Sequence, residues 1–481
     1  MAREWESVIG LEVHLQLNTG TKVWCGCSAD YDNSPINTHT CPICLGHPGA
    51  LPKLNEKVVE YAIKAALALN CDVNKVSRFD RKNYFYPDLT KGYQITQFDH
   101  PYAEHGHIDV TLKSGKERKV GITKIQIEED TGKSMHAGDE SFINYNRASM
   151  PLIEIVSEPD MRSSEEAYEY LNLLKDAIKY TEISDVSMEL GSLRCDANIS
   201  VRPKGEEKFG TRVEVKNLNS FKAVARAIDY EIGRQIETIE EGGSIDQETR
   251  LWDDEVQVTR VMRSKEEAMD YRFFPEPDLV RLVISDEQIE AIRETMPESK
   301  VDKMARFARD YKLSTTDAAI LCEEMELADY YEAAVKASNN PKTTANWIMT
   351  EVLRVLKEEN KDITEFSITS EDLGEIIKLI DGGKISSKIA KKLFEIKLTD
   401  ERTPAEIVEA EGMAQVADTG AIEAMVDEVL ANNPKLIEDY KEADEGRKPR
   451  VMKGLMGQVM KASKGKANPT IVTELLIKKL S

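Results

Sequence analysis

Five stretches in the first half of the chain alternate apolar with polar residues, and that period of two is what a half-buried β-strand requires. Residues 8–17 set the pattern. Leu11, Val13, Leu15 and Leu17 fall on one face, and Glu12, His14 and Gln16 on the other. A carboxylate beside an imidazole points to metal binding or acid–base chemistry more than to plain solvation. Residues 121–130 repeat the alternation, Ile125 and Ile127 against Gln126 and Glu128, and end in Glu128-Glu129-Asp130. Three adjacent acids repel one another unless they are solvated or hold a cation. Residues 151–156 embed one carboxylate, Glu154, in an apolar run, where it must be paired or ligating. Residues 191–202 put Arg194, Asp196, Asn198, Ser200 and Arg202 on one face, and residues 212–217 do the same with Glu214 and Lys216. Together these segments predict a sheet with one face given over to a polar active site.

Directly after the first strand come Cys25-Gly26-Cys27 and Cys41-Pro42-Ile43-Cys44, four of the seven cysteines in the chain. Two tight cysteine knuckles on a short loop can set four thiolates tetrahedrally around Zn²⁺. An all-cysteine set leaves no open coordination position, so this zinc is expected to staple the fold and not to catalyse. Cys71, Cys195 and Cys322 stand alone and read as buried thiols. In the charged aromatic stretch 79–88, Asp80 and Lys82 are candidates to face a polar cavity. Gly132-Lys133-Ser134 imitates the end of a phosphate-binding P-loop, but Ile127 stands where the first glycine is needed, which rejects that reading.

At 481 residues the chain has room for two or three domains. It has no apolar run of membrane-spanning length, and residues 1–10 carry none of the features of a secretory leader, so a cytoplasmic location is expected. The net charge of −22 argues against coating nucleic acid along the whole surface. Residues 447–481 reverse the sign, with nine Lys or Arg against Glu474 alone. Such an end suits a polyanionic partner. From about residue 293 the period becomes helical, with Ile348, Val352, Val355 and Leu356 on one face and Ile385, Ile389, Leu393 and Ile396 on another. Thr403-Pro404 reads as an N-cap followed by proline at the first helical position, and marks the last boundary. The expected architecture is α+β. An antiparallel-sheet-rich catalytic cradle with a zinc knuckle (1–292) precedes an all-α domain (293–402) and a small all-α tail (403–481).

Several longer motifs stand here in one order: Gly10-Leu11-Glu12-Val13-His14, the cysteine stretch through Gly46, FDRKNYFYPD, IEED, PLIEIVSEPD, RCDANISVRP, EVKNLNSF and YRFFPEPDL. Together they resemble, from end to end, the B subunits of aspartyl/glutamyl-tRNA amidotransferases. The chain departs from that family's pattern at Thr90, at Met269, and at Ser149, where the family favours glycine. The related E-type subunit carries an inserted domain for which this chain has no room.

The resemblance implies an ATP-dependent ligase in two stages. The side-chain carboxylate of Glu-tRNA(Gln) or Asp-tRNA(Asn) is phosphorylated by ATP, and ammonia then displaces phosphate to give the amide. It implies Mg²⁺ held by Glu12, His14, Glu129 and Glu154, with Asp196 as the next acid and Lys82, Arg194 and Lys216 as cations for developing charge. It also implies two partner subunits, an A-type amidase that releases ammonia from glutamine and a small C-type subunit. The chain itself has no GxSxG elbow and no cysteine in a recognisable catalytic setting. Glu128, Glu129 and Lys82 are expected to line the exit of an ammonia path. The YqeY-like tail is expected to bind the tRNA backbone through Lys453, Lys461, Lys464 and Lys466. The alternative reading is a non-catalytic, zinc-stapled tRNA-binding scaffold.

Overall fold

Residues 8–16 of the first alternating stretch lie in β1 (Trp5–Gln16), the central strand of a nine-stranded sheet. The computed structural model describes residues 3–138, 140–263, 271–414, 419–443, 447–463 and 467–480. Its contacts divide the chain into two compact units, Met1–Ser299 and Lys300–Ser481.

In the first unit the sheet comprises β1, β2 (Asp72–Val73), β3 (Ala103–Thr111), β4 (Glu117–Glu129), β5 (Pro151–Ser157), β6 (Leu193–Pro203), β7 (Val213–Leu218), β8 (Thr249–Asp253) and β9 (Val258–Arg263). Their spatial order is β9-β8-β7-β6-β1-β5-β4-β3-β2. Every pairing is antiparallel except β7 with β8. Register sorts the side chains. Val13 stands opposite Ile155 and Cys195, and Leu15 opposite Ile153 and Leu193, so one face is continuously apolar. On the other face His14 stands between Glu154 and Arg194, and Glu12 opposite Asp196.

The apolar face packs with three helices in one core: α1 (Glu56–Ala68), α2 (Ser164–Lys179) and α3 (Phe221–Glu240). Each starts at a capping side chain, with Asn55, Ser163 and Ser220 accepting from the backbone N–H of Lys57, Glu166 and Ala223. Burying each large aliphatic side chain in this layer contributes roughly 1.5–3 kcal/mol. A smaller sheet, in which Asp80–Asn83 pairs with both Tyr93–Thr96 and Phe274–Pro275, stands over the polar face. Gln94 and Thr96 of that sheet hydrogen-bond Glu128 of β4. The polar face is therefore walled as well as floored.

The second unit is helical. One apolar core runs from Phe307 to Val408 and another from Ile422 to Leu480. The predicted faces are there, with Ile348, Val352, Val355, Leu356, Ile385 and Leu393 buried. Thr403 caps Pro404–Ala410, a helix that gives Ile407 and Val408 to the first of these cores. Leu455 and Val459 of Lys448–Ala462 pack with Val472, Leu475 and Leu476 of Pro469–Leu480 in the second. A sheet-rich first part and a helical second part are as the sequence predicts. Among the described residues no helix is long and apolar enough to cross a membrane.

Candidate active site

The polar face of the sheet is the floor of a cavity of about 540 Å³. At its centre one oxygen of Glu128, one oxygen of Glu154 and a ring nitrogen of His14 lie within 4.8 Å of one another. Strand register brings them together, because His14 pairs with Glu154, Glu154 pairs with Gln126, and Glu128 follows Gln126 on the same face of β4. His14 Nε2 is 3.6 Å from Glu154 Oε1. Glu128 accepts from Thr96 Oγ1 at 2.6 Å, Gln126 Nε2 at 2.9 Å and Gln94 Nε2 at 3.1 Å. Gln126 Nε2 also donates to Glu154, while Gln126 Oε1 is buried without a hydrogen-bond partner.

The electrostatics suit a cation. Burial, reinforced by Glu128 and Glu12, pushes the Glu154 carboxyl up to about 8. Burial also pushes His14 down to about 3, with Arg194, Lys216 and Lys82 adding to the effect. The imidazole is thus a neutral donor, and the two carboxylates crowd each other. A hard divalent cation would relieve that crowding, so this donor set fits one.

Glu129, expected among the ligands, is turned to the opposite side of β4. Its carboxylate accepts from Lys91 Nζ at 2.6 Å, Ser149 Oγ at 2.7 Å and the Ile95 N–H at 3.0 Å, and it is 1% exposed. Alternation along the strand forces this, and Glu128 holds the place expected for Glu129. The signal was in the sequence, since Glu128 continues the polar parity of Gln126. Ser149 itself adopts φ 66°, the left-handed backbone that glycine takes without strain.

Glu12 lines the same cavity outside the three-residue cluster. It accepts from Asn198 Nδ2 at 2.8 Å, and burial holds its carboxyl above the usual range. Asp196 is engaged by Lys216, whose ammonium also reaches Glu214 Oε1 at 3.0 Å. This ion pair occupies both the acid and the base expected to be free for chemistry. Arg194 is not among the side chains that line the cavity, which corrects its expected place. It donates to Asp130 Oδ2 at 2.6 Å. Burial would raise Asp130, but Arg194 and Arg147 overrule it and hold the carboxyl at about 2. Asp80 is buried and structural, bonded to Arg78 and to the Phe98 N–H.

Lys82 lines the cavity as expected, its Nζ 4.8 Å from the centre of the Tyr271 ring. Lys124, not singled out in the sequence, also lines it and donates to the Phe98 carbonyl at 3.2 Å. Both ammonium groups act against the upward shift of the Glu154 carboxyl.

Cys25, Cys27, Cys41 and Cys44 bring their four sulfurs within 4.8 Å of one another in the loops after β1, and can hold a metal. The Cys41 N–H donates to Cys44 Sγ at 3.1 Å, a contact that favours the thiolate. Cys25 also donates to Cys44, and Cys44 is drawn down to about 4. In the tail Lys453 and Lys461 are exposed on Lys448–Ala462, whereas Lys464 and Lys466 lie outside the described residues.

Residues 7–290 match the family model described as the GatB/GatE catalytic domain, and residues 329–480 match that of the GatB domain. The chain belongs to the GatB family. Among GatB relatives, the aspartyl/glutamyl-tRNA(Asn/Gln) amidotransferase B subunit of Fusobacterium nucleatum is 70% identical, with 100% of each chain covered. The protein of the same name from Carboxydothermus hydrogenoformans is 53% identical over 100% of this chain and 99% of its own. That of Brevibacillus brevis is 49% identical over 98% of both. The cavity and the four cysteines both fall inside the stretch matched by the GatB/GatE catalytic domain.

Proposed function

We propose that this chain is the subunit in which the aminoacyl side chain is activated and amidated. As a GatB-family protein it acts as the B-type component of a tRNA-dependent amidotransferase, converting Glu-tRNA(Gln), Asp-tRNA(Asn) or both to the amidated forms. The observation that carries the site assignment is the cluster of His14, Glu128 and Glu154 on the floor of a cavity that Lys82 and Lys124 also line.

One side-chain oxygen of the misacylated residue attacks the γ-phosphorus of ATP, and ADP leaves. Ammonia then bonds to the activated acyl carbon, and phosphate leaves. Both stages crowd negative charge into one place, so preorganised cations and a shielded cavity do most of the work. His14, Glu128 and Glu154 would hold Mg²⁺, with Glu12 and its partner Asn198 beside them. When bound, the ion neutralises phosphate and carboxylate oxygens. Thr96, Gln94 and Gln126 fix the orientation of Glu128. Lys82 and Lys124 offer ammonium groups to the transferring phosphoryl oxygens. Lys216, tied to Asp196 and Glu214, keeps the acids on its side of the floor compensated.

The four cysteines hold a structural Zn²⁺ that fixes the loops following β1. Ammonia comes from an A-type amidase subunit, with a C-type subunit completing the assembly. The basic tail positions tRNA through Lys453 and Lys461.

The test is product analysis with the protein assembled with its A and C partners and given Glu-tRNA(Gln), ATP, Mg²⁺ and glutamine. Wild type forms Gln-tRNA(Gln), and Glu128→Gln retains glutaminase activity but forms no product. Full product formation by Glu128→Gln would favour the scaffold reading and move the chemistry to another subunit.

A further inference from the structure

One short segment of chain joins the cysteine knuckle to the wall of the cavity. Cys44 closes the second cysteine pair, and its carbonyl accepts from Thr90 Oγ1 at 2.7 Å. Two residues further on, Gly46 adopts φ 68° and lies against Lys91. A Cβ built on Gly46 would stand 2.9 Å from the Lys91 Cα and 2.7 Å from its Cγ. Any side chain at position 46 would therefore push the Lys91 backbone away, and the loop is seated on Thr90 and Lys91 without slack. Gly92 follows in left-handed backbone, with φ 73°, and its N–H closes a turn on the Leu89 carbonyl at 3.1 Å. The strand Tyr93–Thr96 begins at the next residue.

That strand grips Glu128. Thr96 Oγ1 and Gln94 Nε2 donate to separate oxygens of its carboxylate, and Gln94 Nε2 also donates to the Glu129 carbonyl at 2.8 Å. Both side chains are buried. Groups that orient a metal ligand in this way set its affinity for the metal nearly as strongly as the ligands do. We propose that the cysteine knuckle positions Glu128: a metal held by the four cysteines fixes the loop at Cys44 and Gly46, the loop fixes Thr90 and Lys91, and the strand Tyr93–Thr96 carries that constraint to the Glu128 carboxylate. Thr90 and Gly46 are positioning residues on this route, and neither lines the cavity. The proposal rests on the reading of Glu128 as a Mg²⁺ ligand and of the four cysteines as a zinc site. Coupling between two binding sites is reciprocal, so zinc and Mg²⁺ each raise the affinity of the other by the same factor.

The experiment uses the complete three-subunit assembly. Mg²⁺ binding is titrated by calorimetry before and after zinc is withdrawn with a zinc-selective chelator, and zinc affinity is measured by competition with and without saturating Mg²⁺. Zinc withdrawal from wild type is expected to weaken Mg²⁺ by roughly tenfold, and saturating Mg²⁺ to strengthen zinc by the same factor. Withdrawal also loosens the fold, so Thr90→Val, folded and zinc-loaded, decides. It is expected to weaken Mg²⁺ by roughly three- to tenfold and to bring the mutual zinc–Mg²⁺ factor towards one. Thr90→Ser, which keeps the hydroxyl, should restore both. In Thr96→Val, where the strand has lost its hydroxyl contact with Glu128, adding Thr90→Val should cost less than it does in wild type. Wild-type Mg²⁺ affinity in Thr90→Val, with binding abolished by Glu128→Gln, would make the knuckle a local staple and overturn the proposal while the cavity reading stands. Mg²⁺ binding that survives Glu128→Gln would instead overturn the reading of the cavity itself.

Discussion

Glu128 and Glu129 are neighbours in the chain and face opposite sides of one strand. The first meets His14 and Glu154 in the cavity, and the second is sealed against Lys91 and Ser149. Their substitutions therefore fail in different ways. Glu128→Gln is expected to lower product formation about 100-fold or more while leaving the folding transition close to wild type. Glu129→Ala strands a largely buried ammonium on Lys91 and is expected to cost about 3–5 kcal/mol of stability, with Mg²⁺ affinity nearly unchanged in the protein that remains folded. Chemical denaturation and Mg²⁺ titration of both variants separate the two outcomes. Equal loss of Mg²⁺ affinity in both would contradict the strand alternation on which the assignment stands.

The pH dependence of metal binding follows from Glu154. Burial first, then Glu128 and Glu12, hold its carboxyl up at about 8. A carboxyl raised in this way binds its proton more tightly in the folded than in the unfolded protein. Its contribution to metal-free stability is therefore full at acid pH and is lost as pH climbs through about 8. Mg²⁺ must displace the same proton, so its apparent affinity is expected to rise with pH until about 8 and then level off. His14, already neutral, adds no such demand. In Glu12→Gln one repelling carboxylate is gone, and the rise should begin at lower pH. Calorimetry in buffers of different ionisation enthalpy counts the released proton. An affinity independent of pH below 8 would show that Glu154 is not a ligand.

Local periodicity carried much of this site and long-range pairing carried the rest. Glu12, His14 and Glu154 were legible because two-residue alternation fixes which face a side chain takes, and the apolar partners Val13, Ile153 and Ile155 fix that this face is not the core. The choice between Glu128 and Glu129 needed only the same parity carried to the end of β4, beyond Ile127. Arg194 shares the polar face, but its charge goes to Asp130, a partner set by tertiary approach and invisible to any window of sequence. Phe98 and Phe273 meet only because short strands far apart in the chain pair across Arg81. The four cysteines were legible from spacing alone, since their geometry is largely local.

Lys22 supplies a prediction for the cysteine cluster. It is fully buried, and its ammonium donates to the carbonyls of His39 at 2.8 Å and Tyr145 at 3.3 Å, with no carboxylate ion partner among the described residues. Its charge also helps hold Cys44 low. A tetrathiolate zinc carries net negative charge, which would offset the cost of an ammonium in that position. The protein is expected to contain one zinc per chain, lost in Cys44→Ser. Lys22→Met should weaken zinc roughly 10–100-fold in competition with a chelator, while the number of titratable thiols after denaturation stays the same. Unchanged zinc affinity in Lys22→Met would make the lysine a purely structural bridge between the two carbonyls.

The tail prediction separates tRNA binding from chemistry. Lys453 and Lys461 are exposed on a helix whose Leu455 and Val459 are buried, so replacing both lysines by alanine leaves that apolar face intact. Contacts of lysine with phosphate release counterions, and each one lost lowers the slope of log affinity against log salt by about 0.7–0.9. The double variant in the full assembly is expected to raise the KM for Glu-tRNA(Gln) and to flatten the salt dependence by about 1.5. The KM for ATP and the glutaminase rate should remain as in wild type. Because phosphate contacts carry no base code, the loss should be equal for Glu-tRNA(Gln) and for a non-cognate tRNA used as competitor. A salt slope identical to wild type would mean that the basic tail faces something other than the tRNA backbone.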